Sequence, residues 1–215
     1  LGHQVIEADA MYWYDANRYF HLAAPPHRMY TPSADALQAA FAQLPCLGVR
    51  FAAPMDGPGK TSYQIVCDNA QYGFEGLSGN NRSKIRRGLK RCRIEPVPFA
   101  TIASAGKQAN ADTTARQGRA GVLSEERWDR FFQVTAETPG FEGWGAWVDD
   151  ELAAFLVTVT FEDSVEFLLA RSCSGHLNKY PNNALIFTVA EEMLVQRKAP
   201  MITFGLESLE PVGPL

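Results

Sequence analysis

Cysteine is scarce and poorly spaced for chemistry. Cys46, Cys67, Cys92 and Cys173 form no CxxC pair, which argues against a zinc knuckle or a dithiol redox motif and reads as reduced thiols. His3, His21, His27 and His176 show no HxxxH or HExxH spacing, so no metal site is expected. Long apolar runs are missing too: the longest, residues 152–159, is about half of the roughly 20 residues that a membrane-spanning helix needs. No charged, apolar, small-residue leader opens the chain at Leu1. The expectation is a soluble, cytoplasmic protein without a membrane span.

What is present suits a folded domain. The chain has 215 residues, 46% hydrophobic and 20% charged, with 13 Phe, 7 Tyr and 4 Trp to fill an interior, which allows one large domain or two small fused ones. The formal charge of −4 is unevenly spread. Arg82, Lys84, Arg86, Arg87, Lys90, Arg91 and Arg93 fall within twelve positions that hold no acid; the rest of the chain has 13 cations against 24 acids, a balance of −11. Such asymmetry suggests one surface made to meet an anion. Ile85, Leu89 and Cys92 recur at spacings of four and three, which predicts a helix over 83–93 closed by Pro96 and Pro98.

Along the chain, the aromatic runs 11–14 and 18–22 flank Asp15-Ala-Asn as in a hairpin. Ser33 precedes a helical stripe of Leu37, Ala40, Phe41 and Leu44. Residues 49–52 and 62–68 predict strands of a second hairpin around Gly57-Pro-Gly. Residues 101–118, rich in Ala, Thr, Ser, Gln and Gly, read as a flexible connection. Ser124 opens a helix carrying Trp128, Phe131, Phe132 and Val134. Three antiparallel strands come next, around 145–148, 152–161 and 165–171. After a polar loop, Asn182 is the expected cap of a helix whose Leu185, Ile186, Val189, Ala190, Met193 and Leu194 form a buried face. Pro200 breaks it before a strand at 201–204.

Residues 54–61 (Pro-Met-Asp-Gly-Pro-Gly-Lys-Thr) end like a Walker loop, yet the first glycine is replaced by Pro54 and a strand stands where the phosphate-binding helix would start; a turn is the better reading. Cys173 and His176 lack a legible orienting third group for a nucleophile. The loop 176–184 is more suggestive, because it joins a strand to a helix and offers Lys179, Asn182, Asn183 and a free helix N-terminus, features that suit a pyrophosphate. An ordinary Asn-capped helix accounts for the same residues equally well.

The succession Trp144-Gly-Ala-Trp-Val-Asp-Asp-Glu-Leu-Ala-Ala-Phe-Leu-Val, Val165-Glu-Phe-Leu-Leu-Ala-Arg-Ser, Tyr180-Pro-Asn-Asn-Ala-Leu-Ile-Phe and Ile202-Thr-Phe-Gly-Leu-Glu-Ser resembles the GNAT acyltransferase superfamily. Within it, the likeness is to the branch of Fem-type peptidyltransferases, whose basic helix resembles Ser83-Lys-Ile-Arg-Arg-Gly-Leu-Lys-Arg. The resemblance covers about residues 75–208. It implies an α/β fold, a mixed, mainly antiparallel sheet flanked by helices, over residues 76–215, preceded by an N-terminal region 1–75 that is a degenerate half of the same domain or a separate hairpin and helix. Lys179, Asn182 and Ala184 align with the family's pyrophosphate signature, with Lys for Arg or Gln and Asn for Gly as departures. A side chain in place of glycine intrudes where backbone should approach the phosphates. The family fold also continues beyond the strand at 201–204, so its closing elements are expected to be missing here.

The resemblance implies acyl transfer from a thioester, acyl-CoA or acetyl-CoA, to a small-molecule or phosphorylated amine, with no metal and no covalent enzyme intermediate. The Fem-like alternative is aminoacyl transfer from tRNA held by Arg82, Lys84, Arg86, Arg87, Lys90 and Arg91. A third reading is a catalytically silent module that binds an anion. By family analogy, a backbone N–H on the strand from Phe167 through Arg171, which includes Leu169 and Ala170, meets the oxyanion, and Asn183 joins Lys179, Asn182 and Ala184 at the cofactor. By their places on and after the strands, Glu207, favoured, or Glu166 is the base; Tyr180, beside the phosphate loop, is the candidate acid, although the family's usual tyrosine lies further along the chain.

Overall fold

The computed structural model describes residues 3–17, 19–43, 45–57, 59, 61, 63–118 and 124–207, the side chains of 16, 17, 206 and 207 falling outside that description. Two compact units result, Leu1–Tyr63 and Gln64–Leu215.

The first unit is a four-stranded sheet of order β1-β2-β3-β4 with one helix. Its strands are β1 (Val5–Ala8), β2 (Met11–Asn17), β3 (Phe20–Ala24) and β4 (Gly48–Arg50), and α1 (Ala34–Gln43) lies between the last two in sequence. The aromatic hairpin is β2–β3. Period-two alternation buries Ile6, Met11, Trp13, His21 and Ala23. Ser33 Oγ accepts the Ala36 N–H at 3.1 Å and starts α1. The second hairpin expected from sequence does not form. β4 pairs parallel with β3, whereas β5 (Tyr63–Cys67) is the edge strand of the other sheet. A turn does close at Gly57, whose N–H donates to Pro54 O at 2.9 Å; Pro58, Lys60 and Ser62 lie outside the described residues.

The second unit is a six-stranded sheet of order β5-β10-β9-β8-β7-β6. Along the chain come α2 (Gly79–Leu89), β6 (Arg93–Pro96), α3 (Phe99–Ala105), α4 (Lys107–Arg116), α5 (Glu125–Glu137), β7 (Phe141–Val148), β8 (Glu151–Phe161), β9 (Ser164–Ser172), α6 (Pro181–Glu191) and β10 (Ile202–Glu207). β6 to β9 form an antiparallel meander and β10 runs parallel to β9. The architecture is α/β, with mostly antiparallel sheets flanked by helices. β8 is central and buried without interruption from Leu152 to Thr158, which is why its sequence reads as a continuous apolar run rather than an alternation. One face packs Leu156, Phe167, Leu185 and Leu194 under α6; the other packs Ile102, Trp128, Phe132 and Phe155 under α3 and α5. The position beside β10 is taken by β5, from the amino-terminal side of the domain.

Two expectations are corrected. The basic helix runs over Gly79–Leu89 with Ser78 as its cap, and Arg93 already belongs to β6. It ends before the prolines, with the N–H groups of Arg91 and Cys92 both donating to Gly88 O, at 2.9 and 2.8 Å. Residues 101–118 are not a flexible connection but most of α3 and α4. Their small side chains let the helices lie close to the sheet: a Cβ on Gly106 would stand 2.9 Å from the Phe155 ring.

Candidate active site

Among the described residues, β9 and β10 pair at two positions, Val165 with Ile202 and Glu166 with Thr203, and no pair follows. Two local devices accompany the parting. On β9, Leu169 faces Val157 while Phe167 faces Thr158, so Leu168 is an extra, bulged residue. On β10, Gly205 adopts φ +72°, a left-handed conformation that only glycine enters freely. The remainder of β9 therefore has an unpaired edge. Ser172 N–H donates to Thr113 Oγ1 at 2.9 Å instead of to β8, while Cys173 N–H donates to Ala153 O at 2.8 Å. Peptide groups alternate along a strand, so the N–H of Ala170 shares the open edge with Ser172, and those of Leu169 and Arg171 face β8. Arg171 Nη1 donates to Ala170 O at 2.8 Å and Nε to Asn110 Oδ1 at 2.9 Å.

β9 leads through a 3₁₀ turn, Ser174–Lys179, into α6. The helix cap is Tyr180, at φ 57° and ψ 42°, with Pro181 as the first helical residue. Asn182 is therefore inside the helix and not its cap, and its Nδ2 donates to Ser172 Oγ at 2.9 Å. Proline supplies no N–H, and Ala184 N–H is taken by Tyr180 O at 3.2 Å. Among the described residues the N–H groups of Asn182 and Asn183 have no backbone acceptor, which leaves two donors at the positive end of the helix dipole. Ala184 itself is fully buried. A Cβ on Gly88 of α2 would stand 2.9 Å from Ala184 Cβ and 2.6 Å from Tyr180 O.

That close approach brings the basic helix to the start of α6. The Arg87 guanidinium stands 5.9 Å from the Tyr180 ring centroid, and Arg91 Nη1 donates to Asn178 O at 3.2 Å. Arg86 covers the Phe74 ring at 5.3 Å. Arg82 and Lys84 are half-buried, whereas Lys90 is exposed. Lys179 Nζ lies 3.8 Å from Asp149 Oδ2. A cavity of about 200 Å³ between α2 and α6 is lined by Asn81, Asn182 and Asn183 with Tyr72, Ile85 and Phe187. Lys179, Asn182, Asn183 and Ala184 are thus contiguous at one helix end, and Ala170 and Arg171 sit on the strand that leads to it.

The acid–base candidates are spread along the opening. Glu166 is in the last residue pair before the strands part. Glu207 ends β10, on the side toward which the gap widens, and its side chain lies outside the described residues. Tyr180 stands at the helix end. Cys173 and His176 do not pair: Cys173 Sγ contacts Leu152 O at 3.5 Å, His176 Nε2 meets Glu151 Oε2 at 2.7 Å, and burial pushes the Cys173 thiol up from its ordinary value. Among the described residues, no group of three or more His, Cys, Asp or Glu is placed to hold a metal, and no helix is long and apolar enough to cross a membrane.

Sequence reasoning missed a polar layer under the loop. Arg116 Nη2 donates to Ser172 O at 3.0 Å, Ser172 Oγ at 2.9 Å and Thr113 Oγ1 at 3.1 Å, and Nη1 to Ser174 Oγ at 2.6 Å. Asp112 Oδ2 accepts the Ser174 N–H at 2.6 Å, and that bond holds its carboxyl below the ordinary range. The only available signal was the recurrence of Asn110, Thr113 and Arg116 at helical spacing, a polar stripe within a stretch of low hydrophobicity.

No protein-family profile matches the chain, and no curated protein matches it in sequence. Solved structures share its fold at low identity. FemX superposes with a TM-score of 0.58 at 11% identity over 69% of this chain, which spans 54% of FemX. A C-terminal domain assigned to a lysylphosphatidylglycerol synthetase of Agrobacterium fabrum gives 0.63 at 12% identity, with 95% and 70% covered. L-PGS from Bacillus licheniformis gives 0.60 at 12% identity, with 99% and 71% covered. At this identity the likeness shows the fold alone: the chain shares the architecture of FemX and of these two further structures.

Proposed function

We propose that the second unit transfers an acyl group from an activated carbonyl donor to an amine, the donor being a thioester such as acyl-CoA or acetyl-CoA. The observation that carries this reading is the opening of the sheet after two β9–β10 pairs, directly beside a helix end with two open N–H groups. A donor laid there puts its phosphates against Asn182 and Asn183, with Lys179 and Arg87 adding charge, and passes its arm into the gap. Its carbonyl then meets the N–H of Ala170. The amine attacks, the N–H stabilises the oxyanion, and the collapsing intermediate expels a thiolate that must be protonated. Glu207 is favoured over Glu166 as the base. Both strands run toward the helix end, and Glu166 precedes Ala170 by four residues, about 13 Å at strand spacing, whereas Glu207 lies four residues beyond Thr203, the partner of Glu166, and so nearer the level of Ala170. Tyr180 is the candidate acid. The acceptor is a small or phosphorylated amine.

A second reading, aminoacyl transfer from tRNA, is favoured by one further observation: Arg87 and Arg91 of the cation-rich α2 reach the residues that open α6. The two donors share the reacting group, an acyl carbon on a good leaving group, and differ in the body of the molecule that carries the phosphates.

Thermal shift with coenzyme A and gel shift with tRNA separate the readings. A ligand at 100 times its dissociation constant stabilises by about 2.7 kcal/mol. Stabilisation by coenzyme A supports the thioester donor. Binding of tRNA alone, weakening steeply with salt, supports the aminoacyl donor. Binding of neither removes both, and binding without turnover leaves the silent module.

A further inference from the structure

Asn182 occupies the second position of α6, where a short polar side chain has two places to go. It can fold back onto the open N–H groups of the first turn, as asparagine does at helix starts, or it can be held elsewhere. In the first arrangement its carbonyl oxygen takes the donors that an incoming anion needs. In this structure it is held elsewhere, by Ser172 Oγ at 2.9 Å. Ser172 is 1% exposed, and its hydroxyl is itself fixed by the Arg116 guanidinium at 2.9 Å. The bond to arginine is charge-assisted, so it is among the stronger hydrogen bonds of the loop. An oxygen that receives Arg116 and Asn182 has both acceptor sites filled, which leaves the serine no freedom to rotate away.

We propose that Arg116 and Ser172 are positioning residues whose role is to draw the Asn182 side chain down onto the end of β9 and so keep the N-terminus of α6 open to the phosphates of the donor. The proposal rests on the reading that this helix end receives those phosphates. It gives a side chain at this position a physical accommodation: asparagine is compatible with anion binding as long as Ser172 occupies its amide. It also gives Arg116 a structural role, because its guanidinium bonds Thr113, Ser172 and Ser174 and so ties α4 to the end of β9.

The test is a two-residue cycle, Ser172→Ala, Asn182→Gly and the double variant, titrated with coenzyme A and with tRNA. Ser172→Ala releases Asn182 and lowers affinity for whichever donor binds the wild type by tenfold or more. Asn182→Gly alone sets the reference affinity, and the double variant binds to within about threefold of that reference and more tightly than Ser172→Ala. A merely structural role for Ser172 predicts no such rescue, so a double variant as weak as Ser172→Ala overturns the proposal, as does wild-type affinity in Ser172→Ala. The second readout needs no ligand. The Asn182 side-chain amide signals, identified by their loss in Asn182→Gly, exchange slowly with solvent in the wild type and quickly in Ser172→Ala. Unchanged exchange overturns the proposal even if neither donor binds, whereas failure of wild-type binding with the expected exchange overturns only the donor reading.

Discussion

At the residue scale, the loop between β9 and α6 is fastened by groups distant in sequence. Arg116 and Ser172 are separated by 56 positions, Asp112 and Ser174 by 62, and no local pattern announces such pairs. This is why the three family-aligned loop positions could be named from the sequence while the residues that fasten the loop could not. Asp112 carries a pH prediction. Its carboxyl is held below the ordinary value chiefly by the Ser174 N–H, so its contribution is complete above the unfolded-state value near 4 and is lost as pH falls through the lower folded value. Protection of the Ser174 amide, its exchange rate relative to the intrinsic rate at the same pH, should therefore be lost as the solution is acidified below about pH 4 through the lower folded value. Asp112→Asn should show lowered protection already at neutral pH, and acid-insensitive protection in the wild type would contradict the assignment.

At the element scale, the legible parts were those whose burial has a local period. The meander β7–β8–β9, helix α6 and the strand after Pro200 were all readable, because runs such as residues 152–157 are apolar throughout and turns at Asp149 and Glu162 separate them. Helices α3 and α4 were not, since Ala, Thr and Gln carry no apolar stripe and their burial depends on how closely they meet the sheet. The bulge at Leu168 and the placement of β5 beside β10 are register facts, set by partners rather than by neighbours in sequence. Two glycines carry the element-level predictions. Gly88 lets α2 touch α6, and a Cβ there meets backbone at 2.6 Å. Gly88→Ala should therefore push the helices apart and lower the melting temperature, whereas Gly79→Ala, with open space around it, should not. Gly205 is constrained by its φ of +72° and not by space. Gly205→Val should cost about 1–2 kcal/mol of stability by denaturant titration and weaken donor binding, as β10 is forced to straighten. An unchanged midpoint would mean that the strand parts for another reason.

At the scale of the whole molecule, the fold and the charge pattern point to the same end of one helix. An acidic chain of net charge −4 concentrates seven cations in a stretch of twelve residues, and the fold sets Arg87 and Arg91 from that stretch against the residues that open α6. Low-identity likeness establishes the architecture shared with FemX and no more. The donor and the acceptor are matters for the site. The most direct test of the central claim is amide-resolved chemical-shift mapping during titration with coenzyme A and, separately, with a tRNA acceptor stem. The account predicts that the largest shifts fall at Asn182 and Asn183, with Ala170 moving when the donor carries its acyl group. Shifts confined to residues away from β9 and the start of α6, or none at Asn182 and Asn183 when a donor is demonstrably bound, would contradict it.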